Sequence, residues 1–157
     1  MSKKSVRLAK PNDAAAICNI SRQVFNPPEV LQKSLVQKWV QEASRFVAVA
    51  EDESELVGYI VVQIAVSEAD LISLAVQPGY QGQGWGQALM RYALQGLKKK
   101  DVQKLILEVR SSNHTAKAVY KKLGAEKTGE RRGYYHTGKG SGTRENADVF
   151  VLNTVSP

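Results

Sequence analysis

A run of closely spaced glycines is the first feature of this sequence that suggests chemistry. Gln81-Gly82-Gln83-Gly84-Trp85-Gly86 lies between a strand-like apolar segment and a helix-like segment. The first turn of a helix has unpaired N–H groups and a partial positive charge, and glycines leave those groups open to a bulky anion. The sequence therefore predicts a site for a pyrophosphate-bearing ligand. The structural alternative is a flexible turn in which Gly86 serves only helix packing.

Two classes of pyrophosphate-bearing ligand fit such a loop. A dinucleotide fold requires Gly-x-Gly-x-x-Gly and an acidic residue about 20 positions later, and Glu108 falls near that distance. The glycines here are instead spaced two apart. The loop also follows three predicted antiparallel strands and does not open a parallel βαβ unit. The pattern therefore favours coenzyme A over a dinucleotide.

An acidic residue, Glu108, interrupts the apolar alternation of the strand predicted after this helix. Leu105, Leu107 and Val109 share one face of that strand, and Glu108 shares the other face with Arg110. A carboxylate at such a place can accept a proton from a reacting group. Its ordinary alternative is a surface carboxylate paired with Arg110, and the pattern alone favours that alternative.

Two further polar residues follow in a short predicted helix. Tyr120 shares a helical face with Val119 and Leu123, so its ordinary role is that of a core tyrosine whose hydroxyl finds a partner. A phenol also remains protonated at neutral pH and can act as an acid. Asn113 stands where this helix begins and is a favourable N-cap residue.

The elements that must position these residues follow from hydrophobic periodicity. The predicted order is β-α-α-β-β-β-α-β-α-β-β. It indicates an α+β, three-layer fold: a mixed, mostly antiparallel sheet of about seven strands with helices on both faces. The predicted strands are residues 5–9, 45–51, 56–66, 71–76, 105–109, 125–135 and 147–153. The predicted helices start near Pro11, Leu31, Gly86 and Asn113, the second extends to Ala43, and turns are expected at 52–55, 67–70 and 136–146.

Composition limits the possible classes of protein. With 157 residues, 43% hydrophobic and 24% charged, the chain fits one folded domain over 1–157. The chain has 22 Lys and Arg residues and 15 Asp and Glu residues, so its formal net charge is 22 − 15 = +7. This positive charge favours an anionic ligand. One cysteine, no signal peptide and no membrane-length apolar run indicate a cytoplasmic protein with no membrane partner. Two isolated histidines and one cysteine predict no metal site.

The glycine loop resembles the Gln/Arg-x-x-Gly-x-Gly/Ala pyrophosphate loop of the GNAT N-acetyltransferases. The resemblance continues through segments on both sides of the loop, and it is strongest between residues 71 and 135. Within the family, the downstream segments are similar to the bacterial RimI type, the N-terminal alanine acetyltransferases of a small-subunit ribosomal protein. The resembling segments are Leu74-Ala75-Val76-Gln77-Pro78, Leu107-Glu108-Val109-Arg110-Ser111-Ser112-Asn113, Ala118-Val119-Tyr120, Leu123-Gly124-Ala125 and Tyr134-Tyr135.

This resemblance implies an acetyl-CoA-dependent enzyme in which an amine attacks the thioester directly. Glu108 matches the family's proton acceptor, and Tyr120 matches the donor to the leaving sulfur. Val76 N–H is the expected donor to the thioester oxygen. The implied acetyl-CoA residues are Leu74, Ala75 and Val76 through their backbone, Gln81, Gly82, Gln83, Gly84, Trp85, Gly86 and Gln87 in the loop, and Asn113. The side chain of Trp85 could cover the cofactor or pack against the helix.

The resemblance also implies that a protein or peptide N-terminus, such as that of a small-subunit ribosomal protein, enters between residues 25–29 and 136–146. Glu29, Tyr134 and Tyr135 are the implied acceptor contacts. The chain has Pro27-Pro28-Glu29 where RimI-type enzymes usually carry a tryptophan after the proline, so its acceptor could differ. A small amine or a lysine side chain is the first alternative. The second alternative is a non-catalytic acyl-CoA or RNA-binding module, suggested by Arg131-Arg132 beside the tyrosines. RNA binding leaves the glycine loop unexplained, so nucleic acid is not an expected partner.

Overall fold

The computed structural model describes residues 4–136 and 144–154 and has a seven-stranded sheet at its centre. The strands lie in the order β1-β2-β3-β4-β5-β7-β6. Every neighbouring pair is antiparallel except β4 and β5, which are parallel because helix α3 connects them. The strands are β1 Lys4–Leu8, β2 Arg45–Asp52, β3 Glu55–Ala65, β4 Glu68–Val76, β5 Lys104–Arg110, β6 Glu126–His136 and β7 Arg144–Asn153.

Four α-helices cover the two faces of the sheet. They are α1 Ala14–Val24, α2 Lys33–Trp39, α3 Trp85–Lys99 and α4 His114–Lys122. Helices α1 and α2 pack on one face, where Ile17, Val36 and Tyr59 share a buried cluster. Helices α3 and α4 contribute Leu89 and Tyr120 to a second cluster on the opposite face. The predicted element order, the mostly antiparallel sheet and the helices on both faces are confirmed.

Two predicted boundaries are wrong for local reasons. Helix α2 ends at Trp39, well before Ala43, because the N–H groups of Gln41 and Glu42 bond three residues back and tighten the chain into turns. The turn predicted over 67–70 is shorter, since β4 already begins at Glu68 and pairs with Ala65.

The last predicted loop is also shorter than expected. Strand β7 begins at Arg144, and its partner β6 reaches His136. Residues 137–143, with Lys139, lie outside the described part of the chain. Within the described part, no helix has the length and apolar character needed to cross a membrane.

Strands β4 and β5 separate along their length, and this separation positions the site. They pair only where Glu68, Ala69 and Asp70 face Lys104, Leu105 and Ile106, although β4 continues to Val76 and β5 to Arg110. A register shift between Val61 and Val62 on β3 leaves Ile72 of β4 without a registered partner. Such a bulge bends a strand, and here the bend lies where β4 leaves β5. The sheet therefore contains a gap with unpaired backbone groups along the edge of β4.

Candidate active site

A cavity of about 970 Å³ occupies the gap between β4 and β5. Both strands contribute to its wall, together with the loop after α1, helix α4 and the β6–β7 pair. The lining includes seven of the predicted site residues: Glu29, Leu74, Glu108, Asn113, Tyr120, Tyr134 and Tyr135. The gap therefore connects the two faces of the sheet and collects side chains from both.

Glu108 lies on β5, on the face covered by α1 and α2. Its neighbours Leu105, Leu107 and Val109 are buried on the opposite face, as the alternation predicts. The Glu108 side chain is 28% exposed and lines the cavity. Both of its carboxylate oxygens accept from Nη1 of Arg131, at 2.9 and 3.0 Å, a partner that the sequence interpretation did not name. Arg110 reaches other acids because it extends from the end of the strand.

Tyr120 lines the same cavity from the α4 side. Its side chain belongs to the buried cluster and is only 4% exposed, and its ring centroid lies 6.3 Å from that of Phe150. Burial raises the pKa of Tyr120, and the nearby Tyr135 adds to the effect. The phenol thus stays protonated at neutral pH and above. Tyr120 is both a core residue and a wall of the cavity, so the two interpretations of its sequence position are compatible.

Asn113 caps helix α4 at the rim of the cavity. Its side-chain oxygen accepts from the N–H of Ala116 at 3.1 Å, which confirms the predicted N-cap. This bond leaves the amide nitrogen of Asn113 as a donor toward a ligand.

The end of β4 presents backbone groups to the gap. Gln77 N–H donates to the Val57 carbonyl on β3 at 2.8 Å. Because successive N–H groups along a strand point to opposite edges, the N–H of Val76 points away from β3. The carbonyl of Val76 accepts from Gln81 Nε2 at 2.9 Å. The side chain of Leu74 lines the cavity, whereas that of Ala75 is buried against the α1 face.

The glycine loop lies at the start of α3, outside the lining of the large cavity. Gly82 and Gly84 have φ of 78° and 89°, in the left-handed region that favours glycine. A Cβ added at Gly82, Gly84 or Gly86 would meet no atom within 4 Å, so the space beside the backbone is open. No side chain caps the helix. The first-turn N–H groups therefore face open space, as an anion site requires.

Trp85 packs into the core. The residue is 4% exposed and belongs to the cluster beneath α3. Its side chain therefore serves helix packing, and only its backbone remains for a ligand. Among the other loop residues, Gln83 is exposed and Gln87 is half-buried.

An ion-pair network lines the side of the cavity next to the loop after α1. Glu29, from the loop after α1, pairs with Arg110 at the end of β5. Arg110 also contacts Glu145 of β7 at 3.5 Å and lies 4.5 Å from the ring centroid of Tyr135. Glu145 in turn accepts from the N–H of Ser112 at 2.7 Å. The predicted contact Glu29 is thus brought to Tyr135 through an arginine.

The two tyrosines stack edge-on at the same entrance. Their ring centroids are 4.9 Å apart. The hydroxyl of Tyr135 donates to the Glu108 carbonyl at 3.2 Å. Burial, followed by the charges of Glu29 and Glu108, raises the pKa of Tyr135 to about 12. Tyr134 is 45% exposed and carries the guanidinium of Arg131 over its ring.

The sequence interpretation missed Asp70 and the pairing role of Arg131. Asp70 lines the cavity from β4, and its pKa is raised by partial burial and then by the charge of Glu108. The sequence interpretation placed Asp70 in the turn predicted over 67–70, so its position on β4 was not expected. The Arg131 contact depends on β7 lying between β5 and β6 and could not have been found from sequence spacing. No group of three or more potential metal ligands occurs among the described residues.

Comparison with known proteins agrees with this arrangement. The model of the acetyltransferase (GNAT) family matches residues 14–125. A Bacillus subtilis (strain 168) protein, named as a candidate ribosomal protein bS18-alanine N-acetyltransferase, is 33% identical over 134 residues, 85% of this chain and 88% of that protein. The Escherichia coli (strain K12) ribosomal protein bS18-alanine N-acetyltransferase is 40% identical over 98 residues, 62% of this chain and 64% of its own length.

Solved structures share the whole fold. The crystal structure of the Escherichia coli ribosomal-protein-S18-alanine N-acetyltransferase has a TM-score of 0.85 at 27% identity and covers 99% of this chain and 96% of that chain. Arabidopsis thaliana NAA60 in complex with acetyl-CoA has a TM-score of 0.84 at 19% identity and covers 96% of this chain and 98% of that chain. The separated strands, the open glycine loop and these matches lead to one conclusion: the chain belongs to the GNAT family of acetyltransferases.

Proposed function

We propose that this protein transfers the acetyl group of acetyl-CoA to the N-terminal α-amine of a protein that begins with alanine, and that ribosomal protein bS18 is that acceptor. The observation that carries the proposal is the cavity between β4 and β5, which Glu108 enters from one face of the sheet and Tyr120 from the other. The names of the bacterial relatives support the acceptor. The chain works as one domain in the cytoplasm.

The donor occupies the α3 and α4 side of the gap. The pyrophosphate lies on the first-turn N–H groups of α3, where Gly82, Gly84 and Gly86 leave room for it. Residues 81–87 therefore contact acetyl-CoA mainly through their backbone. The pantetheine arm follows the unpaired edge of β4 at residues 74–76, and Asn113 contacts it from the rim.

Glu108 makes the acceptor amine reactive. An α-amino group has a pKa of about 8, so it arrives largely as an ammonium ion and must lose a proton before it attacks. Glu108 accepts that proton directly or through water. The neutral nitrogen then attacks the thioester carbon, and the N–H of Val76 donates to the oxygen that gains charge.

Tyr120 completes the transfer. As the carbon–sulfur bond breaks, the hydroxyl of Tyr120 gives its proton to the departing thiolate of coenzyme A. The raised pKa of the buried phenol keeps this proton in place at the working pH. The attacking nitrogen loses a second proton as the amide forms, and this proton restores the phenol of Tyr120. The proton taken by Glu108 leaves to solvent, so the products are an acetylated amine, a free thiol and one proton.

A second acceptor class has support from one feature of the cavity. Four carboxylates line it, those of Glu29, Asp70, Glu108 and Glu145, against two arginines, Arg110 and Arg131. This excess of negative charge attracts any primary ammonium group. A lysine side chain or a small polyamine is therefore the alternative acceptor.

An acceptor panel tests the proposal. Free thiol release from acetyl-CoA is followed with peptides that begin with Ala, Ser or Met, with a lysine peptide blocked at its N-terminus, and with polyamines. We expect release with the alanyl peptide, in particular one with the bS18 N-terminal sequence, and none after that peptide is N-acetylated. Release only with lysine or polyamine moves the enzyme to the alternative acceptor. Acetyl-CoA binding without release indicates a non-catalytic sensor, and no binding contradicts the proposal entirely.

A further inference from the structure

Arg131 already places a cation on the proposed proton acceptor. Its Nη1 donates to both oxygens of Glu108, at 2.9 and 3.0 Å, and its guanidinium lies 4.4 Å from the ring centroid of Tyr134. This contact uses one acceptor site on each oxygen and places a positive charge where a substrate ammonium would approach. The Arg131 side chain is nevertheless 52% exposed, so it is free to swing into solvent.

The sheet is built so that Arg131 reaches Glu108 across a strand. Ala147 of β7 faces Arg110 of β5 on one side and Arg131 of β6 on the other. The small side chain of Ala147 leaves room above the sheet for a long arginine. The β6–β7 register then shifts after Arg131, where Gly133 has a φ of 61°, and this shift brings Tyr134 beneath the guanidinium.

Asp70 supplies a second carboxylate to the same place. It is the last residue of β4 that pairs with β5, opposite Ile106, which precedes Glu108 by two positions on the same face. The charge of Glu108 contributes to the raised pKa of Asp70, which indicates that the two carboxylates are near each other. Within residues 4–136 and 144–154, no hydrogen bond or ion pair to the Asp70 side chain is found.

We propose that in the free protein the guanidinium of Arg131 occupies the place of the acceptor ammonium on Glu108. The incoming amine displaces Arg131 and binds in a subsite formed by Glu108 and Asp70. This inference rests on the proposed acetyl transfer. Exposed ion pairs are weak, so an ammonium group that also contacts Asp70 replaces the guanidinium readily. Release of Glu108 from Arg131 then frees a carboxylate oxygen for the proton. Arg131 is accordingly a positioning residue that competes with the acceptor.

Steady-state kinetics at saturating acetyl-CoA separate this role from a structural one. In Arg131→Gln we expect the acceptor KM to fall by about twofold to fivefold, the loss of one exposed ion pair, with little change in kcat. Arg131→Lys restores the cation and returns the KM toward that of the wild type. Asp70→Asn raises the acceptor KM by a similar factor. The neighbouring exposed residue Arg132, changed to Gln, is the matched control and leaves both constants unchanged.

Each result decides the inference. An unchanged or raised acceptor KM in Arg131→Gln, or a lowered kcat that Arg131→Lys restores, would mean that Arg131 orients Glu108 during turnover, and the inference would be overturned. An Asp70→Asn variant with the wild-type KM removes Asp70 from the subsite. An unchanged acetyl-CoA KM in all variants shows that the fold is intact. A wild-type protein that acetylates no acceptor overturns the proposed function itself, and this inference with it.

Discussion

The two sides of the β4–β5 gap present different chemical groups to a ligand. The donor side offers backbone groups: the edge of β4 and the uncapped first turn of α3, with open space beside three glycines. The acceptor side offers side chains, with acids and arginines from the α1–α2 loop and from β4, β5, β6 and β7. Backbone groups suit a donor, acetyl-CoA, that is common to different acetyltransferases, and side chains suit an acceptor that differs between them.

The largest expected effect is on the acceptor side. Glu108→Gln removes the proposed proton acceptor and keeps the shape of the side chain, so we expect kcat to fall on the order of 10³-fold. Acetyl-CoA affinity, which depends on the other side of the gap, should stay within error in a binding titration. Glu130→Gln, an exposed acid on β6, is the control. Equal kcat for wild type and Glu108→Gln across the pH range would remove Glu108 from the mechanism.

The next largest effect crosses the gap to the donor side. Tyr120→Phe keeps the buried ring and removes the proposed proton donor, so kcat should fall by roughly 10²-fold with unchanged thermal stability. Because burial raises the pKa of Tyr120, wild-type activity should not be lost through this group until the pH exceeds the usual tyrosine value of about 10. Full activity in Tyr120→Phe would leave Tyr120 with its packing role alone.

A glycine substitution tests whether the donor side works through its backbone. Gly84→Ala forces a side chain into the left-handed region and should lower the free energy of unfolding by about 1–2 kcal/mol. The acetyl-CoA KM should rise while the acceptor KM stays the same. Gly79→Ala also enters open space but needs no positive φ, so it is the matched control. A change in acceptor KM alone would contradict the division between the two sides.

The smallest expected effect is a pH-dependent loss of folding stability at Asp148, on strand β7, which lies between the strands of Glu108 and Arg131. Asp148 of β7 is buried and accepts from Lys117 and Ser111, and the bond from Lys117 is the main cause that lowers its pKa. A depressed folded-state pKa gives stability that is present above the unfolded value and is lost as the pH falls. Asp148→Asn should therefore cost about 1 kcal/mol at neutral pH and less in acid, in urea titrations at both pH values. Glu130→Gln, at an exposed pair, should change little at either pH; equal losses for Asp148→Asn at both pH values would contradict this account.

The donor side was predictable because its features are local in the chain. A strand, a glycine loop and a helix follow one another within residues 68–99, and the N-cap role of Asn113 depends on the next three residues. The face of Glu108 followed from strand alternation. Its role as proton acceptor came from the family resemblance, because the alternation alone favoured a surface ion pair.

The acceptor side was not predictable for the opposite reason. Arg131 meets Glu108 only because β7 inserts between β5 and β6, and Glu29 meets Arg110 across 81 positions of sequence. Sequence spacing offered Arg110 as an alternative partner of Glu108, whereas Arg131, two strands away, donates to both of its oxygens. Asp70 lies in the gap because β4 begins at Glu68 and pairs with both β3 and β5, where the sequence pattern predicted a turn.

The most direct measurement is mass spectrometry of a peptide after incubation with acetyl-CoA and the protein. The peptide begins with alanine and contains an internal lysine, so that fragmentation locates the acetyl group. The account predicts acetylation at the N-terminal nitrogen, dependent on Glu108 and absent in Glu108→Gln. An acetyl group on the lysine alone, or modification at the same rate in Glu108→Gln, would contradict it.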